Sequence, residues 1–93
     1  MNKNLLLVSA DAYFAKILLQ SLEREGYRVH VTKGKGETVV RADEHNCTLA
    51  FLDSDLGEKN VSDIGRALRT LNPNIRLILF SDADTPPVLD ELR

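Results

Sequence analysis

Four strand-like runs, separated by helix-length stretches of chain, constrain this sequence more than any other feature in it. The first, Leu5-Leu6-Leu7-Val8, is wholly apolar, the pattern of a strand covered on both faces. The second, residues 27–32, alternates and is rich in β-branched side chains, so one face is wetter and the strand belongs near a sheet edge. The third, residues 48–53, stops on a carboxylate in Leu49-Ala50-Phe51-Leu52-Asp53, and the fourth covers residues 75–80. Strands that alternate with helices build a parallel, doubly wound α/β sheet, and right-handed crossovers carry the helices to both faces. Asp53 is then delivered to the rim outside the carboxyl ends of the strands, where such folds bind ligands.

The connecting stretches carry helix signals of unequal strength. Residues 12–25 place Phe14, Ile17, Leu18 and Leu22 at three- and four-residue spacing, which predicts a core-facing stripe. Gly26 suits the left-handed position that ends such a helix. After the turn Lys33-Gly34-Lys35-Gly36, residues 37–45 form a weaker helix with Val39, Val40 and Ala42 as its apolar side. Residues 54–60 read as a polar loop, and Ser62 as the N-cap of a helix that runs to residue 71 with Ile64, Leu68 and Leu71 on one face. Asn72-Pro73-Asn74 stops it. Beyond the loop Ser81-Asp82-Ala83-Asp84, Thr85-Pro86-Pro87 can open a last helix.

Composition narrows the function classes. The chain has 93 residues, room for one small domain, and 43% hydrophobic with 28% charged residues argues against disorder. A formal charge of -2 gives no broad basic footprint for nucleic acid or an anionic membrane. No apolar stretch approaches the roughly 20 residues that span a bilayer, and the N-terminus lacks the long apolar region of a signal peptide. A cytoplasmic protein fits these features. The single Cys47 excludes an internal disulfide framework and a cysteine-rich metal site, and it reads as a small buried hydrophobe. Lys33, Lys35 and Arg41 read as a solvated basic cluster, His30 as a surface histidine, and His45 as part of a polar turn. Phe14 belongs to the core, and Tyr13 is available to a partner.

The turn after the first strand, Ser9-Ala10-Asp11-Ala12, has no glycine and carries a negative charge. That excludes a glycine-rich dinucleotide fingerprint and a P-loop, and an acid there repels phosphate. No spacing suggests a Ser-His-Asp constellation, and neither Ser9 nor Ser81 has an evident base.

The order of these pieces resembles the receiver domain of bacterial response regulators, over essentially the whole chain. Leu22-Glu23-Arg24-Glu25-Gly26-Tyr27-Arg28-Val29 matches a common passage of that family, and Leu49 to Asp53 matches the strand that carries its phosphoacceptor. The helix ending at Asn72-Pro73 and the strand before Ser81 match its third helix and fourth strand. The resemblance implies a flavodoxin-like fold with strand order 2-1-3-4 and no fifth strand. The chain is then a single receiver-like domain over residues 1–93, or the N-terminal piece of a longer protein.

The resemblance also implies a site. Receivers use two acids after the first strand to help hold Mg²⁺, an Asp after the third to take the phosphoryl group, a hydroxyl after the fourth, and a Lys after the fifth. Their work is to neutralise charge on the transferring oxygens. Asp53 matches the acceptor and Ser81 the hydroxyl, whereas Ser9 and Ala10 fall where the acidic pair would stand and the Lys has no counterpart. Asp82 occupies a place that is usually small, with Asp84 beyond it, and carboxylates beside a phosphate disfavour its charge. Gly57 and Val61 depart from the family's proline and glycine in the loop after the acceptor.

An altered Mg²⁺ site from Asp11, Asp53 and Asp55 is conceivable, because magnesium takes only one or two protein carboxylates with waters. The plainer expectation has Asp11 capping the first helix and Asp55 as a solvated loop acid. Without a fifth strand, the apolar Leu77-Ile78-Leu79-Phe80 becomes an unprotected edge. The expectation is self-association through the fourth strand and the last helix, or docking of a further segment.

The leading expectation is therefore a degenerate, non-enzymatic receiver. It would act on a protein partner or an attached output domain, without phosphorylation and without a cofactor. The alternative is a working phospho-receiver that takes a phosphoryl group on Asp53 from a histidine kinase, with Mg²⁺. A small α/β enzyme or ligand-binding domain is a third class that no motif supports.

Overall fold

A computed structural model of the protein describes residues 3–81. Within them the chain runs β1 (Asn4–Val8), α1 (Ala12–Arg24), β2 (Arg28–Thr32), α2 (Lys35–His45), β3 (Leu49–Asp53), a 3₁₀ turn (Ser54–Leu56), α3 (Glu58–Leu71) and β4 (Arg76–Phe80). All pairings are parallel and the order is β2-β1-β3-β4, so the doubly wound α/β sheet with order 2-1-3-4 is observed. The last helix that Thr85-Pro86-Pro87 was expected to open lies outside the described residues.

The sheet divides the core by strand periodicity. Leu5, Leu7, Phe51, Ile78 and Phe80 point to α1 and pack on Phe14, Ala15, Leu18 and Leu22. Leu6, Val8, Ala50 and Leu52 point the other way, beneath Ala42 of α2 and Ile64 and Leu68 of α3. Strand β2 makes the wetter edge that its alternation foretold, with only Thr32 fully buried.

The helices differ from the sequence reading where an apolar residue lies on the flank of a stripe. Ile17 is 43% exposed, and Ala15 takes the place expected of it against the sheet. Val40 is exposed and Val39 half-buried, and α2 buries Thr38 and Ala42 instead. Leu71 is exposed at the end of α3. The start of α3 also moves: it begins at Glu58 with Gly57 as N-cap, so Ser62 lies inside the helix and residues 54–60 are a 3₁₀ turn followed by helix. The reason is backbone geometry. Gly57 has φ +96°, a conformation glycine adopts without a Cβ clash, and it turns the chain from the 3₁₀ turn straight into α3. Gly26, at φ +93°, ends α1 as expected.

Helix α2 is anchored by unusual means. The methyl groups of Thr38 and Ala42 supply roughly 0.8 kcal/mol apiece by area, against about 1.5–3 kcal/mol for a buried leucine. Polar contacts supplement them. Thr38 Oγ1 lies 2.7 Å from Thr32 Oγ1 and donates to Gly34 O at 2.7 Å, which ties the first turn of α2 to β2.

Leu18 and Ile17 separate core from flank in one helix. Leu18→Ala is expected to cost about 2–5 kcal/mol and Ile17→Ala less than about 1 kcal/mol, read as urea unfolding free energies. Equal costs would contradict the observed rotation of α1.

Candidate functional site

The site follows from register. Leu52 pairs with Val8 and Asp53 with Phe80, so Ser9 and Ser81, one residue past their strands, arrive at the same rim as Asp53. The amide of Ser9 still donates to Thr32 O at 3.0 Å, which holds the residue in line with β1. Its side chain is turned inward and is 1% exposed, as is that of Asp53.

The Ser9 hydroxyl donates to Asp53 Oδ2 at 2.7 Å. The other carboxylate oxygen, Oδ1, accepts from the Asp55 amide at 2.9 Å. Ser9 Oγ in turn accepts from the Asp11 amide at 3.1 Å, and the Asp11 carboxylate accepts from the Phe14 amide at 3.0 Å as the N-cap of α1. A single chain of hydrogen bonds thus runs from the 3₁₀ turn through Asp53 and Ser9 into the first helix. Each carboxylate oxygen of Asp53 is occupied by a donor from the protein.

This geometry does not fit the magnesium centre considered for Asp11, Asp53 and Asp55. Asp11 turns its carboxylate to the helix backbone, Asp55 is exposed and offers Asp53 an amide, and Ser9 directs its proton, not a lone pair, at Asp53. Among the described residues, no three His, Cys, Asp or Glu side chains converge to hold a metal ion. Ser81 is half-buried at the end of β4. Asp82 and Asp84, expected to crowd the site, lie outside the described residues.

Other singled-out residues sit elsewhere. Cys47 is 2% exposed, and burial pushes its thiol pKa up to about 11. It lines a cavity of about 360 Å³ at the opposite end of the strands, with Asp43, Asn46, Thr48 and Asn72. His30 is half-buried on the edge strand β2, and His45 ends α2 instead of lying in a turn. Their rings stack at 4.0 Å with 12° between planes, and Asn4 Oδ1 lies 3.0 Å from His30 Nε2. Burial, His45, Arg41 and Arg28, in that order, lower the pKa of His30. Among the described residues no helix is long and apolar enough to cross a membrane.

No family model matches the chain. The acid tolerance regulatory protein ActR of Sinorhizobium medicae is 26% identical to it over 80 residues, which cover 86% of this chain and 41% of that protein. The chain therefore spans about two fifths of the length of this curated relative.

The role of Ser9 is the feature that sequence reasoning passed over. Treating the position as a lost acid overlooks what a hydroxyl does there. The available signal was register, since Ser9 follows the first strand as Asp53 ends the third. Ser9→Ala leaves a buried carboxylate oxygen without its donor and is expected to cost about 1–3 kcal/mol in a urea titration with an unchanged slope. A loss below about 0.5 kcal/mol would mean that solvent replaces the hydroxyl freely.

Proposed function

We propose that this chain is a degenerate receiver-type signalling module that acts through protein contacts and without aspartyl phosphorylation. The observation that carries the reading is that each oxygen of Asp53 already accepts a hydrogen bond from the protein, while no ion pair reaches it among the described residues. A phosphoacceptor needs an oxygen free to attack and cations to neutralise the incoming charge. Here Ser9 holds Oδ2 and the Asp55 amide holds Oδ1. The strand order and the likeness to a protein named as a regulator support a regulatory role over an enzymatic one. The role is non-catalytic and requires no cofactor.

The partner is a protein or an attached output domain. Tyr13 is 78% exposed on the first turn of α1, close in sequence to Ser9 and Asp11, and offers an aromatic contact beside the Asp53 rim. Leu79 is 60% exposed on β4, the outermost strand on that side among the described residues, where a second copy or a further segment would dock. The histidine-kinase reading keeps Asp53 and Ser81 at one rim as its support.

Incubation with Mg²⁺ and a small acyl phosphate, followed by intact mass, decides between the two. No phosphoryl adduct of about 80 Da is expected. An adduct present in the wild type and absent in Asp53→Ala would overturn the proposal in favour of a working acceptor.

A further inference from the structure

Helix α2 is fastened to the sheet at both ends by side chains that are not core hydrophobes. At its first turn the fastener is the Thr32–Thr38 hydroxyl contact, which does not titrate in the physiological range. At its last residue the fastener is His45, stacked on His30 of β2. Between them only Ala42 is buried. In its C-terminal half Ala42 holds α2 against the core, and the two imidazoles lying face to face are its side-chain link to β2.

We propose that the His30–His45 stack is a proton-operated latch, which releases the C-terminal turn of α2 from β2 when both rings become charged.

The groups around the pair bear on the charge of His30. Asn4 of β1 accepts from His30 Nε2, so the neutral ring keeps its proton there and the next proton must enter at Nδ1. Arg28 of β2 and Arg41 of α2 both act on His30 as positive charges, and His45 joins them when protonated. Glu44 of α2 is the carboxylate beside the pair, 4.0 Å from His45 Nε2 and more than half exposed. His45 also ends α2, where the helix favours a cation. One charged ring over a neutral one is compatible with stacking. Charge on both rings sets two imidazolium rings 4.0 Å apart, with Arg28 and Arg41 acting on His30 as further positive charges. The sign follows from linkage. The pKa of His30 is lowered in the closed state, so below about 6.5 the open state binds more protons and acid favours opening. The latch is fully closed above that value and is lost as the pH falls through the lowered pKa of His30.

Cys47 reports the opening. It lies two residues beyond α2, is buried, and has a thiol held unreactive by that burial. A dipyridyl disulfide reacts with thiols in acid as well as at neutral pH, so its rate on the folded chain can be divided by its rate on the urea-unfolded chain at each pH. From about pH 7.5 to about pH 5 this ratio is expected to rise, because the open state binds the proton that the closed His30 resists. Far-UV circular dichroism should retain most of the helical signal over the same interval. In His30→Gln and in His45→Gln the ratio should stay flat. A flat wild-type ratio, or an equal rise in both variants, would overturn the proposal. Should neither variant fold, ring-proton NMR of the wild type decides. A His30 midpoint below about 6.5 that moves together with amides of residues 42–47 supports the latch, and a midpoint at or above that value overturns it. The outcome does not depend on whether Asp53 accepts phosphate.

Discussion

Leu5, Leu6, Leu7 and Val8 have no accessible surface, and every other element is placed by what keeps them dry. A parallel strand at the centre of a sheet must be covered on both faces. Leu5 and Leu7 require α1 above them, and Leu6 and Val8 require α2 and α3 below. Right-handed crossovers then leave few ways to arrange four strands, and the observed order places β1 between β2 and β3. The meeting of Ser9 with Asp53 is a by-product of that burial, because the two strands align in the register that keeps their apolar sets inside.

What could be read from the sequence was whatever depended on local period. The apolar runs of β1, β3 and β4 and the alternation of β2 mark the strands, and Phe14, Leu18 and Leu22 mark the buried face of α1. The start of α3 was hidden because Glu58, Lys59 and Asn60 are exposed and polar, so no periodicity signals that turn, and Gly57 gives no side-chain cap. Ile17, Val40 and Leu71 misled because an apolar residue one position off the stripe looks the same in sequence as one on it. The candidate site was half legible. Asp53 announces itself at a strand end, but its bond to Ser9 joins residues 44 apart and exists only once register is fixed. The His30–His45 stack escaped for the same reason, with one ring on an edge strand and the other at a helix end.

The two layers beside the sheet are not equally secured. Helix α1 commits Phe14, Ala15, Leu18 and Leu22 to the core, and Phe14 meets Phe80 at 5.5 Å between ring centres. Helix α2 commits a threonine and an alanine. Local stability in such a domain tracks the apolar surface each segment buries, so α2 is the element expected to open at the lowest cost. It also borders the cavity that contains Cys47, at the end of the strands away from Asp53.

One consequence of the winding concerns the charge on Asp53. Among the described residues this buried carboxylate has no ion pair. Because each crossover runs in the same sense, α1, α2 and α3 all begin at the rim where β1, β2 and β3 end. The macrodipole of each helix leaves a partial positive charge of about half a unit at its first turn. Asp53 thus shares its rim with three helix N-termini, whose dipoles favour a negative charge on that side of the sheet. Such a field is fixed in place when the chain folds and needs no ion to arrive.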